Sequence, residues 1–288
     1  METYSRKTPV WNRFNKTQQK ECHKYAEEYK KFLDAARTER LANKEIIRQA
    51  KAAGYRPLSS FSELHAGDKV YLDHKGKAVI MAVIGRDDMR QGLKLIGSHI
   101  DSPRLDLKAN PLDEKDGLVF LRTHYYGGIK KYQWVCMPLA LVGVIAKTDG
   151  SLVNVEMGLD AADPVLYITD ILPHLGQTQA QKKLNEAITG EMLLPVIGGH
   201  GEGKKSAKEM VLKIFGDKYG ITEEDFASAE LEVIPAQCAR DVGIDRAFVM
   251  AHGQDDRVCS YGNLAAILAA KPSTKTQVAL FTDKEEIG

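Results

Sequence analysis

TQVALFTDKEEIG, residues 276–288, runs from β-branched and apolar side chains into a short acidic turn. TQVALFT has the length and composition of a buried strand, and its apolar content argues for a central place in a sheet. Glu285 and Glu286 follow it and point different ways. One can bind a metal ion while the other serves as general base toward the metal's water. An exposed acidic turn is the plainer reading of the pair by itself.

The same design recurs upstream. LKLIGSHID (93–101) is an apolar run closed by His99, with Asp101 two residues further on and on the same face if strand geometry persists. A carboxylate there can accept the second imidazole N–H, which fixes the tautomer and raises the basicity of the other nitrogen. A third point is Gln254-Asp255-Asp256-Arg257, just before a helix-like stretch. It reads plainly as first-turn carboxylates stabilised by the helix dipole. A carboxylate at such a strand-to-helix turn can also bridge two cations. His99, Asp255 and Glu286 together form a nitrogen and oxygen set without thiolate, suited to zinc, cobalt or manganese. Glu285 is then left as the base.

Forty basic and 39 acidic residues leave a net charge of +1, so nothing points to a nucleic-acid partner. No apolar run reaches the ~20 residues needed to span a bilayer. METYSRKTPVWNRFNK at the start lacks the apolar core of a secretory signal, so the cytoplasm is the expected compartment. Cys22, Cys136, Cys238 and Cys259 are scattered without CxxC spacing and read as buried thiols.

Along the chain, residues 17–53 carry a helical pattern. KVYLDHKGKAVIMAVIG (69–85) reads as a hairpin turning at Lys75-Gly76. From about Arg104 the texture becomes β-rich: VFLRTHYY, WVCMPLALVGVIA, LVNVEMG and AELEVIPA read as strands. Residues 176–210 are polar and glycine-rich, which predicts a mobile loop. KSAKEMVLKIFGDKYG (205–220) is an amphipathic helix ended by Gly220. FVMA, a helix over AAILAA and TQVALFT then restore the strand–helix–strand order of an α/β sheet. The economical organisation is an α/β domain interrupted by an insertion: residues 1–103, an inserted unit over 104–247, and a continuation over 248–288. GGHGEGKKS (198–206) nearly matches a P-loop, but Lys205 stands where the magnesium-binding hydroxyl belongs, so a surface loop is expected. Tyr125-Tyr126-Gly127-Gly128 reads as a strand end and turn.

Read together, GSHIDSPRLDLK (97–108), THYYGGIKKYQW (123–134), LPHL (172–175), ELEVIPAQCARDVG (230–243), GQDDRVCSYGNL (253–264) and FTDKEEIG (281–288) resemble the aspartyl aminopeptidase and aminopeptidase I family of dinuclear zinc exopeptidases. The stretches occur in the family's order, and the resemblance runs from about residue 11 onward. VCMPLALVG after Trp134 suggests the bacterial-type branch. The resemblance implies a zinc-exopeptidase-like α/β/α sandwich interrupted by a β-rich dimerisation domain, with dimers building a dodecamer. It also implies two divalent metal ions and a peptide substrate with a free N-terminus. His99 and Glu286 would bind metal, Asp255 would bridge two ions across a cis Asp255-Asp256 peptide, and Asp101 would orient His99. Glu285 would be the general base, and His174 would reach a neighbouring subunit's active site. The family's catalytic domain continues past the double glutamate with further ligands. The rival expectation is therefore a truncated, catalytically incomplete subunit with an assembly or regulatory role, its strand 276–282 left without covering neighbours.

Overall fold

A computed structural model of the chain describes residues 9–287; residues 1–8, the first part of METYSRKTPVWNRFNK, and Gly288, at the end of the acidic motif, lie outside it. The helical pattern over 17–53 resolves into α1 (Lys16–Ala35) and α2 (Glu39–Ala52). A reciprocal Asn15–Gln18 capping box starts the first, and the Thr38 side chain caps the second. Then come β1 (Arg56–Pro57), β2 (Lys69–His74), β3 (Ala78–Val83) and β4 (Lys94–His99). The β2–β3 hairpin turns at Lys75-Gly76 as expected, both residues having positive φ.

The middle of the chain supplies β5 (Arg104–Lys115), β6 (Leu118–Tyr126), β7 (Pro138–Ala146), β8 (Leu152–Met157) and β9 (Leu166–Tyr167). The short helices α3 (Gln177–Ala180) and α4 (Leu184–Ala187) follow, then β10 (Val196–Gly198), α5 (Ala207–Tyr219) and β11 (Ala229–Pro235). The described chain ends with β12 (Arg240–Val242), β13 (Phe248–Met250), α6 (Gln254–Ala269) and β14 (Gln277–Thr282).

The first sheet has the order β1-β2-β3-β14-β4. β14 is interior, antiparallel to β3 and parallel to β4, so TQVALFT is not left without neighbours. β4 has one partner among the described residues. Its first half is exposed, with Leu95 and Ile96 more than half accessible, contrary to a wholly buried strand. Alternation along the strands sends Tyr71, Met81, Ala279 and Phe281 to one face, where they pack with Phe32, Ile46 and Leu264 from the helices. On the other face Phe61 and Leu64 cover Val70 and Ala82, while Leu72 and Ile80 stay exposed. Among the described residues the helices α1, α2 and α6 therefore form one layer of the α/β fold, on one face of the sheet.

The second sheet runs β11-β5-β6-β10-β9-β7-β8, and β11 also pairs with β7, which closes it. Gly143 of β7 has a φ of +143°, and a Cβ there would lie 2.0 Å from the Glu230 carbonyl oxygen, so this seam needs glycine. α5 buries Ala207, Val211 and Phe215 against the closed sheet and ends at Gly220 in the left-handed region. The expected mobile loop is a correction. Within 176–210 Ile188 and Leu193 are buried in this core, β10 joins the sheet, and Thr123 Oγ1 donates to the Leu193 carbonyl at 2.6 Å. Sparse apolar residues between polar ones anchor the segment, a pattern composition alone hides.

Two other expectations change. FVMA forms β13, but it pairs with β12 in a separate two-stranded sheet. The four cysteines are free, yet three are exposed and Cys22 is half-buried, because none falls on a core-facing position.

A buried ionic cluster joins the two sheets. Arg104 at the start of β5 lies between Glu39 of α2 (3.3 Å) and Glu232 of β11 (3.4 Å), with Asp106 at 2.8 Å. Lys77 stands 3.6 Å from Glu39, and Lys77 and Arg40 both pair with Glu230. Burial, then Glu39 beside it, pushes the Glu232 carboxyl well above the ordinary glutamate range. Burial works the same way on Glu39, but Arg104, Glu232 and Lys77 outweigh it and hold that carboxyl below the ordinary range. Of the two buried glutamates beside Arg104, Glu39 is thus the one held toward its charged form and Glu232 the one held toward its protonated form, with Asp106 facing the same guanidinium from β5.

Candidate metal centre

Parallel pairing of β4 with β14 aligns Thr282 with His99, so both strands release their chains at the same edge. Carboxyl ends of strands in α/β sheets are where ligands gather. Asp101 emerges from one strand and the turn Asp283–Glu286 from the other. The wholly buried Asp101 ties them: its Oδ1 accepts the Glu285 N–H at 3.3 Å and its Oδ2 the Glu286 N–H at 3.1 Å. The acidic turn is thereby held over the end of β4.

α6 supplies the third side. Its first residues depart from helical geometry at Asp255 and Asp256, and the peptide between them is cis. Ser102 Oγ donates to the Asp255 carbonyl at 2.9 Å and accepts from the fully buried Arg257. Gly253 precedes them with φ +74°; a Cβ there would meet Arg257 Nη1 at 2.7 Å and Ser102 Oγ at 2.9 Å. One turn along the helix, Ser260 Oγ donates to the His99 carbonyl at 2.7 Å. Asn263 Nδ2 donates to Ser98 Oγ at 3.1 Å and to the Leu280 carbonyl at 3.2 Å, spanning β4 and β14. The strand ends are clamped from the helix side.

The His99 ring has two distinct sides. Nδ1 lies 3.1 Å from the Asp101 carbonyl oxygen and 3.3 Å from Asp101 Oδ1, both acceptors, so Nδ1 carries the proton. Nε2 is left as a lone-pair donor, 3.3 Å from Asp255 Oδ1 and 3.7 Å from Glu285 Oε2. Ligand atoms of His99, Glu285 and Glu286 all lie within 4.8 Å of one another. His99, Asp101, Asp255, Glu285 and Glu286 thus meet, and Glu285 stands in the ligand cluster itself. His174 does not join them within this chain; it lies in the exposed stretch Ile171–Leu175.

Charge is unbalanced here. Burial, then Asp255, Asp101 and Glu285, raise the Glu286 carboxyl above its ordinary pKa, against the pull of His99. Burial disfavours the charged His99 ring, but Asp101, Asp256 and Glu285 raise its pKa overall. Crowded carboxylates around an imidazole nitrogen, with Asp255 and Glu285 largely exposed, are a donor set that fits a divalent cation, whose charge would offset theirs. A cleft of about 480 Å³ opens beside it, lined by Pro103, Lys130, Trp134, His252, Asp255 and Glu286. His252 at its base is uncharged, burial and the nearby arginines pushing its pKa down to about 3.

Sequence reasoning missed the supports. Ser102 and Arg257 stood inside stretches already singled out, but a single hydroxyl or guanidinium carries no periodicity. Tyr126 read as a strand end; in the structure its hydroxyl donates to Asp101 Oδ2 at 2.7 Å.

Residues 32–288 match the family described as aminopeptidase I zinc metalloprotease (M18). A probable M18 family aminopeptidase 1 of Clostridium acetobutylicum is 47% identical over 97% of this chain, which covers 62% of that relative. The crystal structure of an M18 aminopeptidase from Thermotoga maritima is 43% identical and superposes with a TM-score of 0.91 over 98% of this chain and 62% of its own. A structure described as the mApe1 dodecamer of S. cerevisiae shares the fold at 19% identity, with a TM-score of 0.68 over 91% of this chain and 61% of its own. The chain therefore spans a little over three-fifths of the relatives' length. With the match covering all but the first 31 residues, and with nearly half the residues shared with the Clostridium protein, this chain belongs to the aminopeptidase I zinc metalloprotease (M18) family.

Proposed function

We propose that the chain works as a metallo-aminopeptidase, hydrolysing the N-terminal residue from peptides that carry a free α-amino group. The observation that carries this reading is His99 presenting Nε2 to Asp255 and Glu285 while Asp101 holds its other nitrogen. In it His99, Asp255 and Glu286 would hold two divalent ions; zinc is the family's metal, and cobalt or manganese suit the same donors. When bound, such an ion polarises the peptide carbonyl and makes water a stronger acid. Glu285, exposed and 3.7 Å from His99 Nε2, takes the proton from the attacking water and returns it to the leaving amine. The cleft beside Glu286 receives the N-terminal residue.

The same reading assigns residues 1–103 and 248–288 to a peptidase domain and 104–247 to an inserted dimerisation domain. Adjacent entry and exit strands support it, Asp106 of β5 lying opposite Glu232 of β11. Dimers would build a dodecamer, the assembly named for the yeast relative, with His174 reaching a neighbouring subunit's centre. Among the described residues no helix is long and apolar enough to cross a membrane, and the cytoplasm is the proposed compartment.

The test loads the chain with zinc, cobalt or manganese and presents a panel of aminoacyl dipeptides. Release of the first residue should be abolished by chelator, and Glu285→Gln should lower kcat by at least ~100-fold while zinc still binds. Zinc binding without cleavage of any dipeptide would make the chain a catalytically incomplete subunit instead.

A further inference from the structure

We infer that Tyr126, a residue of the second sheet, is a positioning residue for the metal centre, acting through Asp101 on His99 and on the Glu285–Glu286 turn. This rests on the reading that His99, Asp255 and Glu286 hold metal. Asp101 ties the ligand histidine to the acidic turn: it faces His99 Nδ1 and accepts the N–H groups of Glu285 and Glu286. Its remaining strong donor is the Tyr126 hydroxyl, at 2.7 Å the shortest contact Asp101 makes among the described residues.

The donor is itself held rigidly. Tyr126 ends β6 directly across from Arg104 of β5, whose guanidinium lies 3.9 Å from the centre of its ring. Glu39, Asp106 and Glu232 fix that guanidinium from α2, β5 and β11. The Lys284 ammonium, one residue before Glu285, lies 5.4 Å from the same ring centre. A side chain of the closed sheet thus sets the carboxylate on which the ligand histidine is oriented. Partners that orient a metal-ligating histidine change metal affinity by about 10- to 100-fold when lost. A tyrosine that merely satisfied a buried oxygen would move stability and leave metal affinity alone.

The experiment measures zinc affinity of the whole chain by competition with a chromogenic chelator, in wild type, Tyr126→Phe, Asp101→Asn and the double variant. Tyr126→Phe keeps the ring under Arg104, so the thermal midpoint should stay close to wild type while zinc binding weakens about tenfold. In the Asp101→Asn background the same change should weaken binding by less than about twofold, since neighbours in one network are non-additive. The visible spectrum of the cobalt-loaded protein should also shift in Tyr126→Phe, a second readout independent of folding yield. Unchanged zinc affinity, or an equal loss with and without Asp101, would overturn the inference. His99→Ala separates the two readings. If it binds zinc as wild type does, the metal centre itself falls; if it loses zinc while Tyr126→Phe does not, only the role of Tyr126 falls.

Discussion

Glu39 and Glu232 flank one buried guanidinium, and the same chemical change at each should have different consequences. Glu232→Gln copies the protonated acid that the fold already holds. A carboxyl whose folded pKa is raised contributes stability in full below its unfolded pKa, near 4.5, and loses it as pH rises toward the folded value. Wild type should therefore lose stability relative to Glu232→Gln by about 1.4 kcal/mol per pH unit above that point. Between pH 5 and pH 6 the gap should widen by about that amount. Glu39 has the opposite sign: its lowered carboxyl stabilises above the ordinary glutamate pKa, and that contribution is lost as pH falls through the folded value. Glu39→Gln should nevertheless cost little at pH 7, because Glu232, relieved of its neighbour, can ionise against Arg104. The double variant leaves Arg104 only the half-exposed Asp106 and should cost on the order of 3 kcal/mol. Urea unfolding of the four proteins at pH 5, 6, 7 and 8 reads all of this. A pH-independent loss of 2 kcal/mol or more in Glu232→Gln would refute the reasoning by placing the charge on Glu232.

Phe281→Ala should destabilise by about 3–5 kcal/mol, because the ring is fully buried between β14 and the helices; a loss under 1 kcal/mol in urea titration would contradict that packing. Zinc at about 100 times its dissociation constant should raise unfolding free energy by ~2.7 kcal/mol, reversibly with chelator. His99→Ala should abolish that gain, and a gain that survives would place the metal elsewhere.

The sequence was most readable where one feature repeats. TQVALFT and KVYLDHKGKAVIMAVIG carry strand periodicity and turn chemistry in a few residues, and β14, β2 and β3 fall on them. His99, Asp101 and the glutamate pair were found because residue types with metal chemistry ended apolar runs. The 176–210 segment was misread because its order comes from Ile188 and Leu193 reaching a core built from strands far away in sequence. Tyr126 was passed over for a similar reason. Its role depends on a partner 25 residues upstream, and no local pattern reports that distance. FVMA looked like its neighbours in composition, but strand partners are chosen by three-dimensional approach, and Arg240–Val242 was nearer.

The two sheets differ in when a growing chain can finish them. Every strand of the closed sheet lies between Arg104 and Pro235, so that unit has all its partners once residue 235 has emerged. The first sheet begins earlier, with β1 at Arg56, yet β4 has no partner among the described strands until β14 is made at residues 277–282. The edge that carries His99 must then wait through some 180 residues of synthesis, on the order of ten to forty seconds at typical translation rates. We expect the later unit to fold first. Chains truncated at residue 250 and released from the ribosome should show protease protection over 104–235 while 93–101 remains cleavable, and the reverse order would contradict this topology.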